Sequence, residues 1–192
     1  KIISQLDFSN FNYLPIDGNQ AFLSESTKLI FGNNSEKYHF VKQGTIGGTN
    51  GLFIWANLIK ILYKNPTIII SAPTWENHKK IFSYFNFNIV EYNHINKQNL
   101  FDIDSFSETI KKYPDSFVLF HGGAGHNPSG INPNKNQWLE IADIVKKNKN
   151  HVLFDCAYMG LGESLEKDCF ALRYFLNKNI KDEFFESQTL DA

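Results

Sequence analysis

The chain has 192 residues, 42% of them hydrophobic and 15% aromatic, enough for a globular domain with a full core. Its 19 basic residues nearly balance 20 acidic ones, and a net charge of −1 gives no electrostatic case for nucleic acid or an acidic membrane surface. The longest apolar run, Leu52 to Tyr63, is broken by Asn57 and Lys60, which excludes a spanning helix there.

Residues 1–20 are polar and end in Tyr13-Leu14-Pro15-Ile16-Asp17-Gly18, a loop by its Pro and Gly. Phe22, Leu23, Leu29 and Ile30 space a short helix over 19–31, stopped by Gly32. Tyr38 to Gln43 reads as a strand. Gly47-Gly48-Thr49 then opens a helix to about Lys64, with Leu52, Ile54, Trp55, Leu58, Ile59 and Leu62 at helical spacing. The Ile run Thr67–Ser71 predicts a buried strand, followed by a helix to Tyr84 and a strand over 88–92. A helix over 102–112, a strand over 117–121, a helix over 134–147 and a strand over 151–155 come next. A helix over 168–177 and a last strand over 183–188 close the pattern. This alternation predicts an α/β fold, a mostly parallel sheet flanked by helices on both faces, with no linker that splits off a second domain.

No signal-peptide pattern opens the chain, and without an initiator methionine it reads as a fragment. Cys156 and Cys169 lack metal or disulfide spacing, so no metal site is expected and a reducing, cytoplasmic compartment is.

The chemistry concentrates between Phe117 and Tyr158. Two short apolar strands there end in polar clusters, His126-Asn127-Pro128-Ser129-Gly130 and Asp155-Cys156-Ala157-Tyr158. Groups leaving the carboxyl ends of strands in an open α/β sheet face the ligand crevice. Asn127, Asp155 and Tyr158 together suit a ring that bears a basic nitrogen and a hydroxyl. A carboxylate closing a buried strand must be paired, because an unpaired buried charge is costly. Gly47, Gly48 and Thr49 at a helix start suit an anion, although such a pair of glycines equally makes a plain tight turn. Trp75 reads either as a core indole or as a flat platform for a ring. His78 reads as a partner orienting Asp155 or as an exposed helix residue.

With Pro73-Thr74-Trp75-Glu76-Asn77-His78 and Lys167-Asp168-Cys169-Phe170-Ala171-Leu172-Arg173 in the same order, these segments carry a resemblance. The chain resembles the aspartate aminotransferases of the class I pyridoxal-phosphate-dependent aminotransferase family, from Tyr13 to Gln188. The resemblance implies part of the large domain of the fold-type I transferases, across 1–192, with the small domain and the C-terminal half absent. It implies pyridoxal 5′-phosphate as cofactor, its phosphate cradled by Gly47, Gly48 and Thr49. Trp75 would stack on the pyridine ring, Asp155 would pair with its nitrogen, and Asn127 and Tyr158 would hydrogen-bond its hydroxyl. His78 would support Asp155 from behind. Residues 1–18 would contact a partner subunit in a homodimer, with Tyr13 reaching the partner's phosphate. The implied substrates are an amino acid and a 2-oxo acid, aspartate and 2-oxoglutarate first, giving oxaloacetate and glutamate. An aromatic amino acid aminotransferase and a non-catalytic truncated homologue are the alternatives. Ala72–Pro73 and Asn127–Pro128 would be cis.

The pattern departs at three points. One residue too many lies between His121 and Asn127, which leaves the role of His121 open. The family's cofactor-bonded lysine is expected at the position that holds Ala192, so the chain by itself is expected to be inactive. The family's two carboxylate-binding arginines are not matched, and the only arginine, Arg173, belongs to a helix.

Overall fold

The computed structural model describes residues 13–178 and the backbone of residues 184–187. It divides into two compact units, 1–45 and 46–192.

In the first unit, α1 (Gln20–Phe31) begins at Asn19, whose side chain accepts the Phe22 N–H at 3.1 Å. It ends where Gly32 turns to a φ of 55°, a conformation that favours glycine. A 3₁₀ turn, Gly32–Glu36, follows. Residues 38–43 do not form the expected strand. No second strand among the described residues of this unit is there to complete a ladder, and Phe40 instead stacks on Phe31 at 4.7 Å. Tyr13 is fully exposed.

The second unit is a five-stranded sheet: β1 (Thr67–Ala72), β2 (Asn88–Asn93), β3 (Phe117–Phe120), β4 (His151–Asp155) and β5 (Phe184–Ser187). All pairings are parallel, in the order β2-β1-β3-β4-β5. The helices are α2 (Gly47–Leu62), α3 (Glu76–Tyr84), α4 (Ile103–Lys112), α5 (Lys135–Lys147), α6 (Leu165–Asp168) and α7 (Phe170–Asn177). Both cis bonds are present.

Parallel strands buried on both faces read as continuous apolar runs, and here each run divides by parity. Ile68, Ile70, Phe117, Leu119 and Leu153 pack with Leu52, Trp55, Ala56 and Ile59 of α2 and Ile81 and Phe82 of α3. Phe120 and Phe154 face the other way. Phe120 meets Phe106 of α4 at 5.7 Å and Trp138 of α5 at 5.3 Å, and Phe154 meets Phe175 of α7 at 5.4 Å. Local signals set the helix starts: Asn134 and Gln137 form a reciprocal capping box on α5, and Asp102 caps α4.

Two helices differ from the sequence expectation. The apolar face assigned to α2 is split, since Leu52, Trp55 and Ile59 are buried while Ile54, Leu58 and Leu62 are exposed. The helical region near 168–177 starts earlier and is broken at Cys169, because Ser164 caps a separate α6 by accepting the Lys167 N–H at 3.3 Å.

The topology places the site. From β1 the chain moves outward to β2, then returns to β3 on β1's other side and proceeds outward through β4. The strand order therefore reverses between β1 and β3, and at such a point the loops at the carboxyl ends diverge and open a crevice.

Candidate active site

A cavity of ≈ 360 Å³ lies in that crevice, lined by Ile46, Gly47, Gly48, Thr49, Trp75, His121, Gly125, Asn127, Asp155, Ala157 and Tyr158. Trp75 follows β1, His121 and Asn127 follow β3, and Asp155 and Tyr158 leave β4. The first turn of α2 supplies the remaining wall. Every expected cofactor-binding residue of this unit is in the lining. His121, left without a role by the extra residue upstream of Asn127, is there too.

Gly47 starts α2 with a φ of 70°, and open space surrounds the position a Cβ would take. Glycine is needed at this position for backbone conformation rather than room. The N-cap residue, Ile46, makes no side-chain capping bond, and no acidic residue lies in the helix's first turn. The helix dipole at the cavity wall therefore favours an anion.

Asp155 is 11% exposed, and its Oδ2 lies 2.9 Å from Nε2 of His78, which is fully buried. The reading of His78 as an exposed helix residue does not hold; it stands directly behind the carboxylate. The hydrogen-bond chain continues beyond it. Thr74 Oγ1 is 2.8 Å from His78 Nδ1 and 3.0 Å from His121 Nε2. The Asn127 backbone N–H donates to His121 Nδ1 at 3.3 Å.

This backbone donor fixes the direction of the whole chain. His121 Nδ1 accepts, so the neutral ring carries its proton on Nε2 and donates to the Thr74 hydroxyl. Thr74 then donates to His78 Nδ1, and His78 Nε2–H donates to Asp155. His121 is held neutral in this arrangement: burial first, then the neighbouring imidazoles of His78, His126 and His94, pull it down to about 2. The outcome is a carboxylate that receives one N–H from behind and turns its remaining capacity to the cavity. Thr74→Val keeps the shape but strands a ring nitrogen on each histidine. It is expected to cost about 2 kcal/mol, read as a lower denaturation midpoint with an unchanged m-value.

The loop carrying Asn127 is pinned separately. His126 sits 2.9 Å from Ser71 Oγ and 2.7 Å from Ser129 Oγ, and its backbone N–H donates to Asn132 Oδ1 at 3.0 Å. Its ring stacks on His94 with centroids 3.5 Å apart, and His94 Nε2 donates to the Ile131 carbonyl at 2.8 Å.

Comparison with known proteins gives the family. The model of the family described as Aminotransferase class I and II matches residues 4–190. The chain belongs to the class I and II aminotransferases. The chloroplastic aspartate aminotransferase of Arabidopsis thaliana is 37% identical over 187 residues, which cover 94% of this chain and 40% of that protein. Among solved structures, the aromatic-amino-acid aminotransferase of Burkholderia pseudomallei, covalently bound to pyridoxal phosphate, matches with a TM-score of 0.89 at 32% identity. That match covers 98% of this chain and 47% of that one. The cytoplasmic aspartate aminotransferase of Saccharomyces cerevisiae matches with a TM-score of 0.91 at 29% identity, covering 98% and 47%. The chain thus spans less than half the length of these aminotransferases.

Pyridoxal phosphate is the cofactor of this family, and the cavity fits it: a helix start for the phosphate, an indole beside the space for a ring, a braced carboxylate for a ring nitrogen. Among the described residues no group of three or more His, Cys, Asp or Glu is placed to hold a metal ion. No described helix is long and apolar enough to cross a membrane. The Ala192 position, where the family's lysine is expected, lies outside the described residues.

Proposed function

We propose that this chain forms the cofactor-binding part of an enzyme that transfers the amino group between L-aspartate and 2-oxoglutarate. The observation that supports it most strongly is the Asp155 carboxylate, braced by His78 at 2.9 Å and lining the same cavity as Trp75. When bound, pyridoxal phosphate supplies an electron-accepting ring that takes up and releases the amino group. The chain's own residues would do the following. Gly47, Gly48 and Thr49 receive the phosphate at the start of α2. Trp75 offers its face to the ring, and Asp155 holds a proton on the ring nitrogen. Asn127 and Tyr158 hydrogen-bond the ring hydroxyl and set its acidity.

The choice of aspartate follows the relatives' names. A second reading, transfer from an aromatic amino acid, is favoured by the aromatic-amino-acid aminotransferases among the structural matches. Initial rates of the full-length protein with aspartate against phenylalanine, 2-oxoglutarate as acceptor, separate the two. We further propose a cytoplasmic homodimer whose Tyr13 reaches the partner's phosphate. Phe53, Ile54, Leu58, Ile61 and Leu62 on α2 leave an exposed apolar surface suited to a second copy.

The cofactor assignment has a direct check. Titrating the chain with pyridoxal phosphate is expected to quench tryptophan fluorescence saturably, with inorganic phosphate competing and most of the quenching lost in Trp75→Phe. A linear, unsaturable response would sink the assignment.

A further inference from the structure

The Asp168 segment, singled out by its sequence, has no part in the chemistry above. Asp168 is 3% exposed, and its carboxylate is satisfied by backbone N–H groups. Oδ2 accepts the N–H groups of Gly160 at 2.9 Å and Gly162 at 3.0 Å, and Oδ1 accepts that of Glu163 at 3.2 Å. These groups belong to the loop that leaves Tyr158, whose carbonyl accepts the Leu161 N–H at 3.0 Å and closes the turn. Charge-assisted hydrogen bonds of this kind are about twice as strong as neutral ones.

The backbone of the same residue stands where a second loop arrives. A Cβ on Gly123 would overlap the Asp168 backbone carbonyl. A Cβ on Gly162 would lie 2.7 Å from Asp168 Oδ1 and 2.8 Å from the Ala124 Cβ. A Cβ on Gly125 would lie 2.6 Å from the Tyr158 ring. Loop 122–125, which contains the extra residue between His121 and Asn127, is therefore packed backbone-close onto Asp168 and Tyr158.

We propose that Asp168 is a positioning residue that fastens the Tyr158 loop and the 122–125 loop into one unit, and so sets where Tyr158, His121 and Asn127 stand around the cavity. For the identity of the bound ring this rests on the pyridoxal-phosphate reading; the fastening itself does not. The glycines of 122–125 then have a purpose beyond absorbing an insertion. They let the lengthened loop approach a post that a side chain would push it away from.

The test uses the chain, Asp168→Asn and Gly162→Ala. Asp168→Asn keeps the shape and removes the charge, and Gly162→Ala keeps the charge and wedges the joint. Amide hydrogen exchange is followed in segments 156–163 and 122–127, with β3 and β4 as the fold control. In both variants the two loop segments are expected to speed up together, by about tenfold or more, while strand amides keep their rates. Pyridoxal phosphate affinity is expected to fall about tenfold, with the absorbance band of the bound cofactor displaced relative to the parent chain. Faster exchange confined to 156–163, or loop rates unchanged in Asp168→Asn, would overturn the proposal. If a variant also accelerates β3 and β4 equally, the role is general stability and the proposal fails. A parent chain that does not bind pyridoxal phosphate removes the functional reading, while the exchange result still decides the fastening.

Discussion

Asp155→Ala is expected to weaken pyridoxal phosphate binding by roughly 100-fold, the effect of losing about 3 kcal/mol of charge pairing in a nearly buried site. Asp155 ends a strand whose other side chains are buried, and its Oδ2 is already engaged by His78 at 2.9 Å. The carboxylate's orientation is therefore fixed before a ligand arrives, and little entropy remains to be lost on binding. Alanine also strands the His78 N–H. Asp155→Asn separates the two effects, because an amide oxygen still accepts from His78 while the negative charge is gone. Both variants are expected to lose affinity comparably, with Asp155→Asn closer to the parent chain in stability. Affinity retained in Asp155→Asn would mean that shape, not charge, is what the cavity reads.

The second large effect is a steep loss of stability in mild acid. His121 is pulled down to about 2 and His126 to about 3, each chiefly by burial and then by neighbouring imidazoles, and burial lowers His94 as well. In the unfolded chain each returns to about 6.5. Between the folded values of His121 and His126 and that unfolded value, the unfolded state binds protons that the folded state refuses, so stability rises with pH and falls as pH drops below 6.5. His121 and His126 each contribute a slope of about 1.4 kcal/mol per pH unit in that window, and His94 adds in the same direction. His94 has a specific structural reason: Nε2 is committed to the Ile131 carbonyl, its Nδ1 is buried without a hydrogen-bond partner, and the ring lies flat on His126. Urea midpoints measured from pH 7 down to pH 5 are expected to fall throughout. His94→Phe keeps the stack and is expected to make the slope shallower. Stability independent of pH across that interval would contradict the neutral, buried state of these rings.

The fold could be read from the sequence wherever a local signal and a tertiary demand agree. The Ile run of β1 has one outcome in a parallel sheet, and Asn19, Asp102 and Asn134 mark helix starts by their capping side chains. Where only local pattern was available, the reading failed. Tyr38 to Gln43 reads locally as a strand, yet pairing needs a neighbour that a local reading cannot supply. The α2 face was drawn too wide because Ile54, Leu58 and Leu62 are apolar and still face outward.

The site residues that line the cavity were readable because each leaves the end of a strand, or opens a helix, in a recognisable segment. His121 was not, since an insertion between it and Asn127 breaks the spacing. Only folding shows that the glycines of 122–125 take up the extra length and return His121 to Thr74 at 3.0 Å. The Asp168 post was equally hidden. Its partners are backbone N–H groups, which every sequence has.

Everything in the functional account requires that Asp155 meet a protonated ring nitrogen in this cavity. Pyridoxal phosphate labelled with ¹⁵N in the ring, bound to the chain at pH 8 and observed by NMR, reports that proton through its chemical shift. A pyridinium shift in the parent chain and a neutral-pyridine shift in Asp155→Asn are the predicted pair. A neutral nitrogen in the parent chain, or the same shift in both, would contradict the account.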